Sequence, residues 1–128
     1  MSEILVVDGE PLICQLLVEV LEGEGFGVVS AANGQQALAK YRLHAKDIEL
    51  VISDVVMPEM NGPALARRLL AERPDLPIIL MSDQADISDL GSQPIVRFLS
   101  KPFDLESLVS TVRDLVPEGR SSQLVSRA

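Results

Sequence analysis

Five short apolar runs, Ile4 to Val7, Gly27 to Ala31, Leu50 to Ser53, Ile78 to Met81 and Ile95 to Leu99, punctuate the chain. Between most of them, apolar residues recur every three or four positions. Runs of that length bounded by turn residues predict strands, and the longer period predicts helices. The alternation is that of an α/β chain. Because the strand segments carry no polar face, they are expected to lie in a parallel sheet covered by helices on both sides.

Pro11 to Glu24 reads as the first helix, with proline in its first turn, Leu12, Leu16, Leu17, Val20 and Leu21 as its apolar stripe, and Gly23 and Gly25 as its stop. A second follows Asn33 as N-cap, with Ala37, Leu38 and Tyr41 facing inward. A third opens after the Asn61-Gly62 turn, places Pro63 in its first turn, and buries Leu65, Leu69 and Leu70. The last opens at Asp104 as N-cap, carries Leu105, Leu108, Val109, Val112 and Leu115, and ends at Pro117. The stretch SDQADISDLGSQP, residues 82 to 94, is different: it offers three aspartates and little to bury, so at most one or two turns are expected, Ala85 to Leu90. The polar tail, residues 118 to 128, is expected to be flexible, which leaves residues 1 to 117 as one domain.

Composition narrows the function. A chain of 128 residues that is 47% hydrophobic can bury one real core. Its net charge of -8 repels phosphate backbones and anionic membranes, so nucleic acid and membrane surfaces are not expected as partners. The lone Cys14 excludes an internal disulfide and, among Leu12, Ile13, Leu16 and Leu17, reads as a packed helical thiol. No basic-then-apolar leader and no run of about 18 apolar residues is seen, so a cytoplasmic location is expected.

The chemistry gathers where strands end. In an open parallel sheet, the C-terminal strand ends converge on one crevice. The first strand is followed by Asp8 and Glu10, the third by Asp54, the fourth by Ser82 and Asp83, and the fifth by Ser100, Lys101 and Pro102. Carboxylates in one crevice repel by about 1 to 4 kcal/mol per close pair, so the site calls for a cation. Lys101 is one, and Mg²⁺, which takes one or two carboxylates plus phosphate oxygens and water, is another. Phosphoryl chemistry is the expectation.

The segments ILVVDGE, VISDVVMPEMNG, IILMSD and FLSKPFD occur in this order, and with them residues 3 to 116 resemble the receiver domain of two-component response regulators. The resemblance implies a doubly wound, flavodoxin-like five-stranded parallel sheet in the order 2-1-3-4-5. It implies that Asp54 accepts a phosphoryl group from a histidine kinase or phosphotransfer protein, that Lys101 pairs with the phosphoryl oxygens, and that Ser82 hydrogen-bonds them. Phe98 matches the aromatic switch position. Mg²⁺ would be held by Asp8, Asp54 and the Val56 backbone carbonyl. Such a protein is a switch rather than an enzyme, catalysing at most its own phosphorylation and dephosphorylation, and it signals through altered binding to a protein target. These roles agree with what phosphoryl transfer asks of a protein, which is positioning and neutralisation of charge on three equatorial oxygens.

Three departures stand out. Gly9 occupies the place of a second acid that ligates the metal in the family, so weak Mg²⁺ binding is expected unless Asp8 swings across. Asp83 puts a carboxylate beside the switch hydroxyl, where the family usually has a small residue, and is expected to take part in the switch. The stretch from Asp83 to Pro94 implies a shortened or missing fourth helix. Gly9 and Asp83 together motivate an alternative, a pseudo-receiver serving as a phosphorylation-independent interaction module. A phosphohydrolase with an aspartyl nucleophile would need an acid two residues after Asp54, and that residue is Val56. GEGFG, residues 23 to 27, follows a helix and enters a strand, which makes it a turn rather than a phosphate cradle. His44 reads as a helix terminus, and Arg67 and Arg68 as a wet helix face.

Overall fold

The computed structural model describes residues 3–57, 59–82, 96–100 and 104–116. Its elements are β1 (Glu3–Val7), α1 (Pro11–Gly23), β2 (Gly27–Ala31), α2 (Gly34–Leu43), β3 (Ile48–Asp54), α3 (Gly62–Glu72), β4 (Ile78–Ser82), β5 (Val96–Ser100) and α4 (Leu105–Leu115). The strands form one sheet in the order β2-β1-β3-β4-β5, and every pairing is parallel.

Successive strand residues point to opposite faces, and here both faces are apolar. Leu5, Val7, Val51, Ile78 and Leu80 pack on one side against Ala37, Leu38 and Tyr41 of α2 and Leu65, Ala66 and Leu69 of α3. Ile4, Val6, Leu50, Ile52, Ile79 and Met81 pack on the other side against Leu17 and Leu21 of α1 and Leu108 and Val112 of α4. Two cores separated by one sheet are what the apolar runs predict.

β3 begins two residues earlier than its apolar run. The Glu3 N–H donates to the Asp47 carbonyl at 2.8 Å, and the pairing slips between Glu3 and Ile4, so that Glu3 faces Ile48 while Ile4 faces Leu50. The partner strand thus recruits Ile48 and Glu49. On α1 the predicted stripe needs correction: Leu12 is 79% exposed and Leu16 40%, while Leu17 and Leu21 are fully buried and Ile13 and Cys14 partly so. The inward face, centred on Leu17 and Leu21, lies about 140° further round than one centred on Leu12 and Leu16. β5 is an edge strand, and its central Arg97 and Phe98 are exposed rather than covered. The shortened fourth helix, the Ala85 to Leu90 turns and the tail all lie outside the described residues.

Helix ends follow local chemistry. α1 closes with the Gly25 N–H on the Glu22 carbonyl and the Phe26 N–H on the Leu21 carbonyl, with Gly25 at φ 98°. This is a Schellman closure, and only glycine takes that φ without strain. GEGFG is therefore a turn. Asn33 Oδ1 accepts from Gln36 N–H at 2.8 Å, Asn61 Oδ1 from Ala64 N–H at 2.8 Å, and Asp104 Oδ1 from Ser107 N–H at 2.7 Å. The Ser107 amide, assisted by its hydroxyl, holds the Asp104 carboxyl below the usual carboxylate range. The contribution of that cap is accordingly present above the unfolded carboxyl pKa and is lost as pH falls through the depressed folded value. Gln36 also accepts the Ala32 N–H at 2.9 Å, tying the turn before α2 to its first turn. Asn33→Ala is expected to cost about 1 kcal/mol, readable as a lower urea midpoint with unchanged slope.

Candidate functional site

Parallel pairing sets the level of each strand end. In the register, Val7 faces Ser53, Asp54 faces Met81, and Ser82 faces Ser100. Asp8 and Asp54 each stand one residue beyond the Val7–Ser53 pair, so two carboxylates sit at the same level on neighbouring strands. Ser82 stands one residue beyond the partner of Asp54. The sheet thus brings Asp8, Asp54 and Ser82 to one edge. Lys101 follows Ser100 directly in sequence, but Lys101 and Asp83 lie outside the described residues.

These groups are sheltered to different degrees. Asp8 is 2% exposed and Ser82 3%, whereas Asp54 is half-buried and so both anchored and reachable. Asp8 Oδ1 accepts the Glu10 N–H at 2.9 Å, and the Asp8 N–H donates to the Ala31 carbonyl at 3.1 Å. That bond to the following turn holds the Asp8 side chain in place and works against a swing across the Gly9 position. Glu10 is the N-cap residue of α1 but makes no side-chain cap bond. Phe98, on β5, is 40% exposed and faces Leu80 in the register, and it is not gathered into the carboxylate edge.

The chain leaves β3 through a tight loop. The Val55 N–H donates to the Met81 carbonyl at 2.9 Å, and the Gly62 N–H donates to the Val55 carbonyl at 2.8 Å. Val56, between them in sequence, is 66% exposed. Glu59 takes a positive φ of 71°, a strained value for a non-glycine residue. Gly62 is where the loop folds back on its own strand: a Cβ there would lie 2.5 Å from the Asp54 carbonyl oxygen.

Oxygen donors of this kind suit a small hard cation, and two carboxylates match the number that Mg²⁺ takes from protein when water and phosphate oxygens complete its shell. Among the described residues no group of three or more His, Cys, Asp or Glu side chains is placed to hold a metal. Gly9, between Asp8 and Glu10, is exposed, and a Cβ added there would meet only the Ala32 carbonyl, at 3.6 Å, an ordinary contact distance.

The response regulator receiver domain family matches residues 4–113. This chain belongs to that family. The general role of a receiver domain is to take a phosphoryl group from a histidine kinase within a two-component system, as a phosphoacceptor switch. Among its relatives, the receiver protein CpdR of Brucella abortus is 34% identical over 119 residues, covering 91% of this chain and 98% of CpdR. The sensor kinase CckA of the same organism is 35% identical over 118 residues, but the chain spans only 12% of CckA, and it spans 49% of the transcriptional regulatory protein TcrX of Mycobacterium tuberculosis. The structure of the response regulator TrrA from Thermotoga maritima, solved in complex with Mg²⁺ and beryllofluoride, is 36% identical, with a TM-score of 0.80 over 90% of this receiver and 99% of TrrA. A receiver from Clostridium thermocellum at 24% identity shares the fold with a TM-score of 0.83 over 98% of this chain.

The remaining sequence expectations resolve simply. Arg67 and Arg68 are exposed on α3, as a wet face requires. His44 is the C-cap of α2 and lies 3.5 Å from Glu3 Oε1 through Nδ1, at the start of β1 and so at the opposite end of the strands from the carboxylate edge of the receiver. Cys14 is only half-buried and lines a cleft of about 210 Å³ with Asp8, Gly9, Ser30 and Lys40, a less packed position than its apolar neighbours suggest. Lys40 is the residue that sequence reasoning passed over, since a lysine on a helix reads as a solvated position. No helix among the described residues is long and apolar enough to cross a membrane.

Proposed function

We propose that this receiver domain is a working phosphorylation switch whose acceptor is Asp54 and whose output is altered affinity for a protein partner. The observation that carries the reading is the register: Asp54 ends the central strand at the level of Asp8 on one side and next to Ser82 on the other. An Asp54 carboxylate oxygen forms the new bond to phosphorus as the bond to the donor nitrogen breaks, and the electron pair departs with the donor imidazole. The Ser82 hydroxyl donates a hydrogen bond to a phosphoryl oxygen, and Lys101 supplies a positive charge. Asp8, Asp54 and the Val56 carbonyl would hold Mg²⁺, which when bound neutralises charge on the transferring group. Phe98, half out of the fold, is the aromatic group that follows Ser82, and Asp83 adds a carboxylate beside the switch. A net charge of -8 argues for protein rather than nucleic acid as the partner.

Incubation with a histidine-kinase donor or phosphoramidate, read by intact mass, tests the assignment through uptake of one phosphoryl group that Asp54→Asn lacks. A second reading, the phosphorylation-independent interaction module, draws support from Gly9. It is the reading that survives if wild-type protein takes up no phosphoryl group.

Gly9 also yields a quantitative expectation. Gly9→Asp has room for its side chain and adds a negative charge beside the Asp8–Asp54 pair. Mg²⁺ is expected to bind at least about tenfold more tightly, since one extra carboxylate near a divalent ion contributes roughly 2 kcal/mol even in high dielectric. Unchanged affinity in a calorimetric titration would show that the position of the missing ligand is already filled.

A further inference from the structure

Lys40 does not extend into solvent. It is half-buried, and its ammonium donates to the Ser30 carbonyl at 2.6 Å, one residue before Ala31, whose carbonyl accepts the Asp8 N–H. Lys40, Asp8, Gly9 and Cys14 line one cleft beside the carboxylate edge. The two charges act on the same thiol. Burial, the largest influence, pushes the Cys14 pKa up, Asp8 pushes it further, and the Ser30 hydrogen bond and Lys40 oppose the rise.

We propose that Lys40 is a resident positive charge beside the acidic edge, a positioning residue that offsets the Asp8 carboxylate in the metal-free protein and thereby lowers affinity for a divalent cation. The proposal rests on the reading that this edge takes Mg²⁺. Its physical core is that the ammonium is tethered to a β2 carbonyl outside the ligand set, so an arriving cation does not displace it and must bind in its field. Where Gly9 has removed a carboxylate, one fixed positive charge weighs more heavily against the ion.

The test is Mg²⁺ affinity, by calorimetry or by amide NMR shifts at the β1 and β3 ends, in the full chain. Lys40→Gln is expected to tighten Mg²⁺ binding about threefold at low ionic strength, with the gain shrinking in high salt as screening takes over. Lys40→Arg, which keeps the charge, is expected to retain wild-type affinity. Lys46→Gln, an exposed position in the turn after α2, removes the same formal charge elsewhere and is expected to change nothing. Lys40→Met carries the same expectation as Lys40→Gln should the glutamine variant fail to fold. Unaltered or weaker binding in the neutral variants, equal tightening in Lys46→Gln, or no Mg²⁺ binding by any form overturns the proposal. Phosphoryl uptake at Asp54 is measured separately, so tightening in Lys40→Gln without uptake sustains the role of Lys40 and removes the proposed switch function instead.

Discussion

Asp54→Asn is expected to abolish phosphoryl uptake and any response to beryllofluoride, while leaving the fold intact. An amide is not a nucleophile toward phosphorus at neutral pH and cannot form an acyl phosphate, so the loss is expected to be complete rather than graded. The neighbouring acid does not substitute. Asp8 is 2% exposed and its Oδ1 is held by the Glu10 N–H, while Asp54 is the half-buried carboxylate at the end of β3. The amide occupies the same volume and removes a like-charge neighbour of Asp8, so thermal stability is expected to hold or rise. Amide shifts at Ser82 and Ser100 are expected to move on addition of beryllofluoride and Mg²⁺ to wild-type protein and to stay still in the variant. Phosphoryl label retained by Asp54→Asn would move the acceptor elsewhere.

The second large effect is steric. Glycine-to-alanine changes in helices usually stabilise, by about 0.4 to 1 kcal/mol, because the unfolded chain loses freedom. Gly62→Ala, at the first residue of α3, is expected to have the opposite sign. Its Cβ would stand 2.5 Å from the Asp54 carbonyl oxygen and 2.9 Å from Val55 Cα, both backbone atoms that cannot rotate away, with Leu80 Cδ2 at 3.1 Å. The loop from Val55 to Asn61 must then shift as a unit, at a cost of about 2 to 3 kcal/mol, the scale of overpacking in a close-packed interior. For a domain of this size that lowers the melting temperature by roughly 10 °C. The same shift drags the Asp54 carbonyl, so phosphoryl uptake is expected to fall in the folded fraction as well. Gly9→Ala is the control: its Cβ meets one carbonyl at 3.6 Å, and stability is expected to be close to wild type. Equal urea midpoints for the two variants would refute the steric account.

How far the fold and site could be read in advance depended on whether the deciding interaction was local. Asn33, Asn61 and Asp104 were legible as caps because a cap is made between a side chain and an amide three residues on. The buried strands β1, β3 and β4 were legible because a strand covered on both sides needs an apolar run, while the fifth run, interrupted by Arg97, belongs to the exposed edge strand β5. With parallel strands, the gathering of Asp8, Asp54 and Ser82 at one edge followed from their places just past those runs. The family resemblance then added the strand order.

Other features were decided only when elements met. The α1 segment PLICQLLVEVLEG is apolar around most of its circumference, so periodicity alone could not choose between Leu12–Leu16 and Leu17–Leu21 as the buried edge; contact with Ile4, Val6 and the α4 helix did. The early start of β3 came from Glu3 pairing with Asp47 and Ile48 across the sheet, a contact separated by more than forty residues in sequence. The Asp8 side chain could have turned either way until the Glu10 amide fixed it, and nothing in the sequence singled out Lys40, whose ammonium reaches the Ser30 carbonyl on β2. Local patterns specify which segments become helices and strands because short-range hydrogen bonds and apolar period act within a few residues. Which face is buried, which carboxylate is held still and where a flexible lysine comes to rest are set by neighbours that only the folded sheet supplies.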